Sequence, residues 1–340
     1  MFTPKYTLTS TLLQYISEIE RLYGRLESRR LPKELQLNLE RDNLVQSAYI
    51  SNSIEGNPLS QPEVTNLLLG DRIPVNRDEK EVRNYFDILK SLQEQKEQIM
   101  LDTVLNIHKQ LLAGVEDDIA GIIRNSRVVV GKYRQQEDGE LSIDVKHEPP
   151  YHSSNQIAVA LHELNSWLED SNDMPAVIQT AIFHHEFVYI HPFADGNGRT
   201  CRLLTAQLLL RRGYAINKYF VLDDWYDVDR AQYSDKLHTA DGGDKTEWVE
   251  YFAEGMKYSL QSALAKAEQA IERIEVPRRL TNREKEVYAI LQARKQLKAS
   301  DIEEALSISR QYAHRLLKAL VDKGFADEKG ETKGRFYVLK

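Results

Sequence analysis

A twelve-residue segment, His191 to Arg202, restricts the architecture of this chain more than any other part of it. It reads HPFADGNGRTCR, and its proline and two glycines interrupt any regular element. The residues on both sides, 175–190 and 199–211, carry the apolar spacing of helices. The sequence therefore predicts two helices joined by a tight loop, with several polar side chains gathered at the start of the second helix.

The second half of this segment suits a polyphosphate ligand. Gly196, Asn197 and Gly198 predict backbone amides at a helix N-terminus, where the helix dipole stabilises an anion. Arg199 and Arg202 lie three residues apart and therefore share a helix face. Two guanidinium groups beside such amides can form forked hydrogen bonds with phosphate oxygens.

The first half adds a base and a metal ligand. Asp195 offers a hard oxygen of the kind that Mg²⁺ uses together with substrate phosphates, and His191 can act as a general base near neutral pH. A helix–loop–helix corner with solvated arginines is the alternative, but six specified residue types within twelve positions argue against it. A dinucleotide-binding fingerprint is excluded, because Cys201 stands where its third glycine should be and a helix precedes the loop.

The segment resembles the signature of the Fic family, His-Pro-Phe-x-[Asp/Glu]-Gly-Asn-[Gly/Lys]-Arg-x-x-Arg, at every specified position. The resemblance covers roughly residues 1–260 and implies a mainly α fold. A Fic-type helical core at 101–260, with a small β-hairpin flap, would follow an N-terminal helical extension at 1–100. The implied reaction is transfer of AMP from ATP to a Ser, Thr or Tyr hydroxyl of a protein target or of the enzyme itself. Some Fic-like proteins transfer phosphate or phosphocholine instead, and Gly198 in place of lysine favours AMP over the kinase-like variant.

The resemblance implies a role for each polar residue of the loop. His191 would deprotonate the hydroxyl of the target, and Asp195 would hold Mg²⁺. The other residues would bind the phosphates of ATP: Gly196, Asn197 and Gly198 the α- and β-phosphates, Arg199 the β-phosphate and the leaving group, and Arg202 the γ-phosphate.

A second signal, Ser51 to Gly56, precedes the core. Ser51 and Glu55 are one helical turn apart on one face, and Gly56 ends the helix. This pattern alone fits any helix C-terminus. It also resembles the inhibitory helix of Fic proteins, Ser/Thr-x-x-x-Glu-Gly/Asn, which implies that Glu55 pairs with Arg202 and withholds that arginine from the γ-phosphate. The alternative is that Glu55 positions water, so that the enzyme mainly removes AMP.

Two short runs, Arg127 to Gly131 and Asp144 to His147, predict the strands of a hairpin. By resemblance this hairpin is the flap, which includes Val130, Gly131 and His147 and would pair with the target as an added strand. An ordinary surface hairpin is the alternative. His184 and His185 match no zinc spacing and are expected to be core or surface histidines.

Residues 278–340 resemble a winged helix-turn-helix domain and follow a linker helix at 261–277, which Pro277 is expected to end. Three helices are expected, at 282–292, at 299–306 with Ser300 as its cap, and at 310–322. A hairpin with three basic residues follows them: Lys329, Lys333 and Arg335. Double-stranded DNA would meet the outward face of the third helix, which carries Arg310, Gln311, His314, Arg315 and Lys318. Winged helices also bind proteins, so an interaction module is the alternative.

Composition limits the remaining classes of function. The net charge is −7, but residues 276–340 hold fifteen basic and nine acidic residues, so a basic tail that suits nucleic acid follows an acidic core. The single cysteine, Cys201, excludes an intramolecular disulfide and favours the cytoplasm. The sequence contains no run of eighteen apolar residues, so it predicts no membrane span. A homodimer is suggested by family analogy alone. Two hypotheses remain: an autoinhibited adenylyltransferase that uses ATP and Mg²⁺, and a DNA-binding transcriptional regulator whose Fic core acts as a sensor.

Overall fold

The computed structural model describes residues 2–29, 31–70, 72–92, 98–135, 141–330 and 335–340. The chain divides into two compact units, Met1–Ala265 and Lys266–Lys340. Each unit has a hydrophobic core of its own. No helix within the described ranges combines the length and the apolar character that crossing a lipid bilayer requires.

The first unit is built mainly of helices. Their bounds are α1 Ser10–Glu27, α2 Lys33–Ile54, α3 Gln61–Leu69, α4 Arg77–Ser91, α5 Leu101–Leu112, α6 Ser154–Asp170, α7 Ala176–Ile190, α8 Asn197–Arg211, α9 Asp223–Val228 and α10 Arg230–Thr239, with a 3₁₀ turn at Ala240–Gly242. The last helix, α11 Thr246–Arg279, begins in this unit and continues into the second. Two antiparallel strands, β1 Val130–Gln135 and β2 Leu141–His147, form a hairpin in which Gly131 pairs with Val145. The expected mainly helical core with a small hairpin is confirmed.

Helix α7 lies at the centre of this unit. Twelve of its fifteen residues are buried, including polar ones, which is the pattern of a helix surrounded by other helices. It packs against α8, which contributes Leu203 and Leu204 to the same core. Helix α7 ends where the sequence predicts, because His191 adopts a left-handed conformation and Pro192 follows. The loop between α7 and α8 therefore begins and ends on two buried helices.

Helix α2 carries the second sequence signal and belongs to the same core. It begins at Lys33, eleven residues before the apolar stretch that starts at Leu44, and ends at Ile54. Gly56, with a φ of 90°, then turns the chain, as expected of a glycine after a helix. Leu44 and Ala48 pack into the core that holds α8. This packing fixes the C-terminal turn of α2 beside the loop.

The second unit is a winged helix-turn-helix, as expected. Its helices are α12 Asn282–Arg294, α13 Ala299–Leu306 and α14 Arg310–Asp322, and its strands are β3 Gln296–Leu297, β4 Ala326–Lys329 and β5 Phe336–Leu339. The sheet order is β3-β5-β4, and both pairs are antiparallel. The two-residue strand β3 was not expected from the sequence, because it is too short to show any alternation of side chains.

Two local predictions in this region were wrong. The N-cap of α13 is Lys298, whose backbone N–H donates to Asp301 Oδ2 at 2.7 Å, so Ser300 lies inside the first turn. Helix α11 ends at Arg279, two residues beyond Pro277. A proline this close to a helix end removes a single backbone donor and only a short stretch follows it, so the helix can include it.

Candidate active site

The loop between α7 and α8 starts with a residue in an unusual conformation. His191 has a φ of 49°, and a left-handed conformation is unfavourable for a residue with a Cβ by about 1 kcal/mol or more. Arg124 holds this turn in place. Its Nε donates to the carbonyl of His191 at 2.6 Å, its Nη2 to that of Ile190 at 3.2 Å, and its backbone N–H to that of Pro192 at 3.0 Å. The buried guanidinium therefore stabilises the strained turn that presents His191.

The ring of His191 is arranged as a proton acceptor. Its Nδ1 lies 3.3 Å from the carbonyl oxygen of Val188, which can only accept, so Nδ1 carries the proton and Nε2 the lone pair. Burial lowers the pKa of His191 to about 4, and the nearby ring of His147 acts in the same direction. The imidazole is therefore neutral at neutral pH and free to take a proton at Nε2.

The middle of the loop is held from inside by two buried side chains. Asn197 Oδ1 accepts from the N–H of Phe193 and its Nδ2 donates to the carbonyl of the same residue, both at 2.9 Å. His108, on α5, stacks on the Phe193 ring with the ring centroids 3.6 Å apart. Its Nδ1 accepts from the N–H of Gly121 at 2.9 Å, so Nε2–H donates to the carbonyl of Asp195 at 3.0 Å. The side chain of Asn197 thus shapes the loop, and its backbone remains at the start of α8.

Arg199 is buried but incompletely bonded. Its Nη1 lies 3.2 Å from Glu81 Oε2, and its Nη2 lies 3.3 Å from Asp195 Oδ2. Among the described residues, neither Nε nor Nη1 has an acceptor in hydrogen-bonding geometry. Buried donors without acceptors are costly, so this guanidinium is suited to an additional anionic ligand. The Asp195 side chain is 47% exposed, which leaves its carboxylate accessible.

Arg202, on α8, is bonded through Nε and Nη2 to the last turn of α2. Its Nε donates to Ser51 Oγ at 2.7 Å, and its Nη2 donates to the Ser51 carbonyl at 2.9 Å and to Glu55 Oε1 at 2.7 Å. The Arg202 side chain is 2% exposed, whereas that of Glu55 is 36% exposed. The structure thus brings together Ser51, Glu55 and Arg202, the three residues that the sequence resemblance relates. Arg202 lies 147 positions after Glu55 and 151 positions after Ser51 in the chain.

Gly198 allows Glu55 to approach the start of α8. A methyl group at position 198 would collide with Glu55 Oε1 and lie 3.2 Å from Arg202 Nη1. The Glu55 carboxylate therefore lies directly on the helix backbone, at the end where the dipole is positive. This is the position that the sequence predicts for an anionic ligand.

The hairpin differs in detail from the prediction. Strand β1 begins at Val130, so the residues from Arg127 to Val129 precede it, and β2 begins at Leu141 rather than Asp144. The tip at 136–140 lies outside the described residues. Val130 pairs with His147 at the open end of the hairpin, and the ring of His147 is buried beneath it. An added strand could therefore pair with the backbone of His147, but it would not contact the ring.

His184 and His185 are core histidines, as expected. His184 is fully buried and bonded at both nitrogens, Nδ1 to Thr205 Oγ1 and Nε2 to the Tyr233 hydroxyl, each at 2.9 Å. His185 is buried between Asp241 and Lys245, with distances of 2.9 and 2.7 Å. Within the part of the chain that the structure describes, neither ring hydrogen-bonds to the loop at His191, and both stabilise the interior.

The outward face of α14 carries the predicted polar residues. The exposed ones are Arg310, Gln311, Arg315 and Lys318, while His314 is half-buried. The opposite face packs into the core of the second unit through Ala313, Leu316, Leu317 and Leu320. Ser309 caps the helix by accepting from the N–H of Tyr312 at 3.3 Å. In the wing, Lys329 is exposed, Arg335 Nε donates to Glu328 at 2.8 Å, and Lys333 lies outside the described residues.

Four residues of the site were not found by sequence reasoning: Arg124, His108, Glu81 and Asn57. Glu81, on α4, pairs with Arg199 and also accepts from Arg77 Nε at 3.1 Å and from Asn57 Nδ2 at 3.2 Å. For His108 on α5 the sequence signal is a polar residue on an otherwise apolar helix face, and such residues are common in helices. Arg124 and Asn57 lie outside the helices and carry no signal of this kind.

Comparisons with known proteins agree with this arrangement. The model of the Fic/DOC family matches residues 98–209, and that of the sugar-specific transcriptional regulator TrmB matches residues 279–340. The protein adenylyltransferase Fic of Aedes aegypti is 32% identical over 228 residues, which are 63% of this chain and 40% of the mosquito protein. The chain thus spans about 40% of the length of the curated relatives it matches.

Two solved structures are similar over most of the chain. A Fic family protein from Desulfovibrio desulfuricans G20 covers 100% of this chain, which covers 98% of that protein, with a TM-score of 0.68 and 24% identity. Fic-1 (residues 134–508) from Caenorhabditis elegans covers 76% of this chain, which covers 73% of that structure, with a TM-score of 0.60 and 25% identity. The chain therefore carries a Fic/DOC-family domain, followed by a C-terminal segment that matches the TrmB family of transcriptional regulators.

Proposed function

We propose that the first unit transfers AMP from ATP to a Ser, Thr or Tyr hydroxyl of a protein, and that Glu55 restrains this transfer. Relatives about 30% identical to the chain are named protein adenylyltransferases, which supports the reaction class. The observation that carries the proposal is the position of the Glu55 carboxylate, on Arg202 and on the backbone of Gly198. A carboxylate there occupies the groups that a polyphosphate needs.

The loop residues can perform this transfer without a covalent intermediate. The target hydroxyl oxygen attacks the α-phosphorus of ATP, a new P–O bond forms, and the bond from that phosphorus to the bridging oxygen of the β-phosphate breaks. His191 Nε2 takes the hydroxyl proton, and pyrophosphate leaves with the bonding electrons. The α8 amides and the incompletely bonded Arg199 stabilise the charge on the phosphates.

Asp195 fits the role of a Mg²⁺ ligand. Its carboxylate is accessible and is held only at 3.3 Å by Arg199 and 3.9 Å by Arg77, so it has capacity for a cation. A single carboxylate is sufficient where substrate phosphates supply the other ligands. When bound, Mg²⁺ would neutralise part of the charge on the ATP phosphates.

Inhibition follows from competition between two anions for one arginine. Arg202 donates hydrogen bonds from Nη2 to Glu55 and from Nε to Ser51, so the γ-phosphate would have to displace the carboxylate to bind. The negative charge of Glu55 at the start of α8 also opposes an incoming polyphosphate. Glu55 thus favours ATP binding in an arrangement in which the α-phosphorus is not presented to His191.

The decisive experiment compares label from α-³²P-ATP and γ-³²P-ATP on purified protein. Glu55→Gly should incorporate the α label at least about tenfold faster than the wild type, which corresponds to about 1.4 kcal/mol, and should not incorporate the γ label. Glu55→Gly combined with His191→Ala should bind ATP and incorporate neither label. Glu34→Gly, at the other end of α2, is the matched control and should behave as the wild type.

Three results would contradict the proposal. Incorporation of the γ label would show phosphate transfer, and retained transfer in the His191→Ala combination would exclude His191 as the base. Unchanged or slower transfer in Glu55→Gly would argue against inhibition by Glu55. Faster loss of AMP from pre-modified protein in the wild type than in Glu55→Gly would favour AMP removal as the role of Glu55.

We propose separately that the second unit binds double-stranded DNA. The basic, exposed outer face of α14 and the match to a family of transcriptional regulators support this. A band-shift assay on random duplex should show binding that falls steeply with salt. The variant Arg310→Ala/Arg315→Ala/Lys318→Ala should abolish the shift, whereas Lys285→Ala, a change of a partly exposed basic residue on α12, should preserve it. Absence of binding at low salt would instead favour a protein-interaction module.

A further inference from the structure

Three side chains outside the loop converge at the base of the hairpin. They come from the last residue of β2, His147, from α10, His238, and from the following 3₁₀ turn, Asp241. His147 Nδ1 lies 2.8 Å and His238 Nδ1 lies 3.0 Å from the same oxygen, Asp241 Oδ2. All three ligand atoms lie within 4.8 Å of one another. We propose that His147, His238 and Asp241 form a binding site for a divalent transition-metal ion such as Zn²⁺.

The hydrogen bond on the far side of His147 decides what its other nitrogen can face. His147 Nε2 lies 3.0 Å from the carbonyl of Tyr189, which can only accept, so Nε2 carries a proton. In the neutral ring, Nδ1 then has a lone pair that is directed at a carboxylate oxygen 2.8 Å away. Two facing lone pairs repel each other unless a proton or a metal ion lies between them. A backbone carbonyl that accepts from the other nitrogen is also the usual arrangement of a metal-binding histidine.

The carboxylate is oriented by a second layer of buried groups. Lys245 Nζ donates to His185 Nδ1 at 2.7 Å, so His185 Nε2–H donates to Asp241 Oδ1 at 2.9 Å. Lys245 is held in turn by Glu186 Oε2 at 3.0 Å. These bonds occupy Oδ1 and leave Oδ2 facing the two histidines. Ligating carboxylates in metal sites are commonly supported by outer hydrogen bonds of this kind.

The geometry and the exposure suit a tetrahedral ion with one open position. Zinc bonds to nitrogen and oxygen are about 2.0–2.1 Å long, so tetrahedral ligand atoms lie about 3.3 Å apart. The two histidine nitrogens lie 2.8 and 3.0 Å from Asp241 Oδ2, so each would move outward by a few tenths of an ångström to reach that spacing, and all three atoms already lie within 4.8 Å of one another. The side chains of His147, His238 and Asp241 are 3%, 15% and 24% exposed, so one side of the cluster reaches solvent and can admit the ion and a water. Two imidazoles favour a transition metal over Mg²⁺.

The site is separate from Asp195 and does not depend on the proposed transfer of AMP. It would join the open end of the hairpin to α10 and, through Tyr189, to the end of α7 two residues before His191. A bound ion would therefore hold the base of the hairpin in place.

The test is a titration of untagged, chelator-treated full-length protein with Co²⁺ and, by calorimetry, with Zn²⁺. One equivalent of Co²⁺ should produce the visible absorption of a tetrahedral complex, and Zn²⁺ should displace it. His238→Ala and Asp241→Asn should each weaken binding by at least about tenfold, while His162→Ala, an exposed histidine on α6, should not change it. Circular dichroism checks that the variants remain folded, and His238→Gln provides a milder second variant.

Absence of stoichiometric Co²⁺ and Zn²⁺ binding by the wild type would overturn the proposal and assign the cation at His147 to a proton. Equal binding by the wild type and by His238→Ala or His238→Gln would also overturn it, because the ion would then bind elsewhere.

Discussion

The carboxylate of Glu55 lies on the backbone of Gly198, with no room for a methyl group between them. Because Gly198 has an ordinary helical φ, alanine there should be tolerated once the carboxylate is gone. In the Glu55→Gly background, Gly198→Ala should raise the free energy of unfolding by about 0.5–1 kcal/mol, the usual gain of alanine over glycine in a helix. In the wild type it should lower the free energy of unfolding.

Urea denaturation of the four proteins in this cycle measures the coupling between the two positions. Equal effects of Gly198→Ala in both backgrounds would show that Glu55 does not contact the start of α8 in solution. Gly24→Ala on α1, where no atom lies within 4 Å of an added methyl group, is the control and should be independent of Glu55.

Ser51 should contribute to inhibition through Arg202. Ser51→Ala removes the acceptor of Arg202 Nε and leaves a buried charged donor with one bond fewer. We expect a loss of about 1–3 kcal/mol in the free energy of unfolding and a smaller rise in AMP transfer than in Glu55→Gly. Ser17→Ala, which removes an exposed hydroxyl bonded within α1, should do neither. A rise in stability after Ser51→Ala would contradict this role.

The pH dependence of transfer should reveal the neutral state of His191. Because burial lowers its pKa to about 4, the basic form is already complete at pH 6 and is lost only as the pH falls toward 4. The rate of Glu55→Gly protein should therefore change less than about twofold between pH 6 and 8 and fall below pH 5. Initial rates with α-³²P-ATP in constant ionic strength provide the profile. Half-maximal activity near pH 6.5 would instead indicate an unperturbed histidine.

His108 should act as a positioning residue for the loop. His108→Phe can keep the stacking on Phe193 but leaves the N–H of Gly121 and the carbonyl of Asp195 without their partner. In the Glu55→Gly background, kcat should fall by about tenfold or more, because small displacements of reacting groups are costly, with a much smaller change in KM for ATP. Assays run well below the melting temperature, and the exposed change His162→Phe is the control. Unchanged kcat in a destabilised protein would mean that His108 is only structural.

Local features of the sequence predicted the elements well where caps and breakers are strong. The bounds of α13 and α14 agree with the expected 299–306 and 310–322, because Ser309 caps one helix and each apolar stripe is short and complete. The same kind of rule failed at Pro277 and Ser300. In both places a weak local preference was overridden by a longer helix or a different first turn.

The site was predictable only where its residues lie within one motif. The twelve residues from His191 to Arg202 predict a phosphate site by their spacing, and Ser51 with Glu55 could be related to them only through a family resemblance. Arg124 and Asp241 act through contacts with residues 66 and 94 positions away in the chain. No local pattern marks such residues, because their partners are chosen by the packing of whole helices.

The burial of α2 limits how the proposed inhibition by Glu55 could be released. Leu44, Val45 and Ala48 of α2 belong to the same core as α8, so detaching the helix would expose apolar surface that holds the whole unit together. Glu55, by contrast, is the C-cap of that helix, and its side chain is 36% exposed. In the proposed mechanism, an activating partner would therefore not have to pull the helix away. Rotation of one carboxylate toward water would be sufficient, and such activation would be rapid, reversible and almost invisible in the backbone.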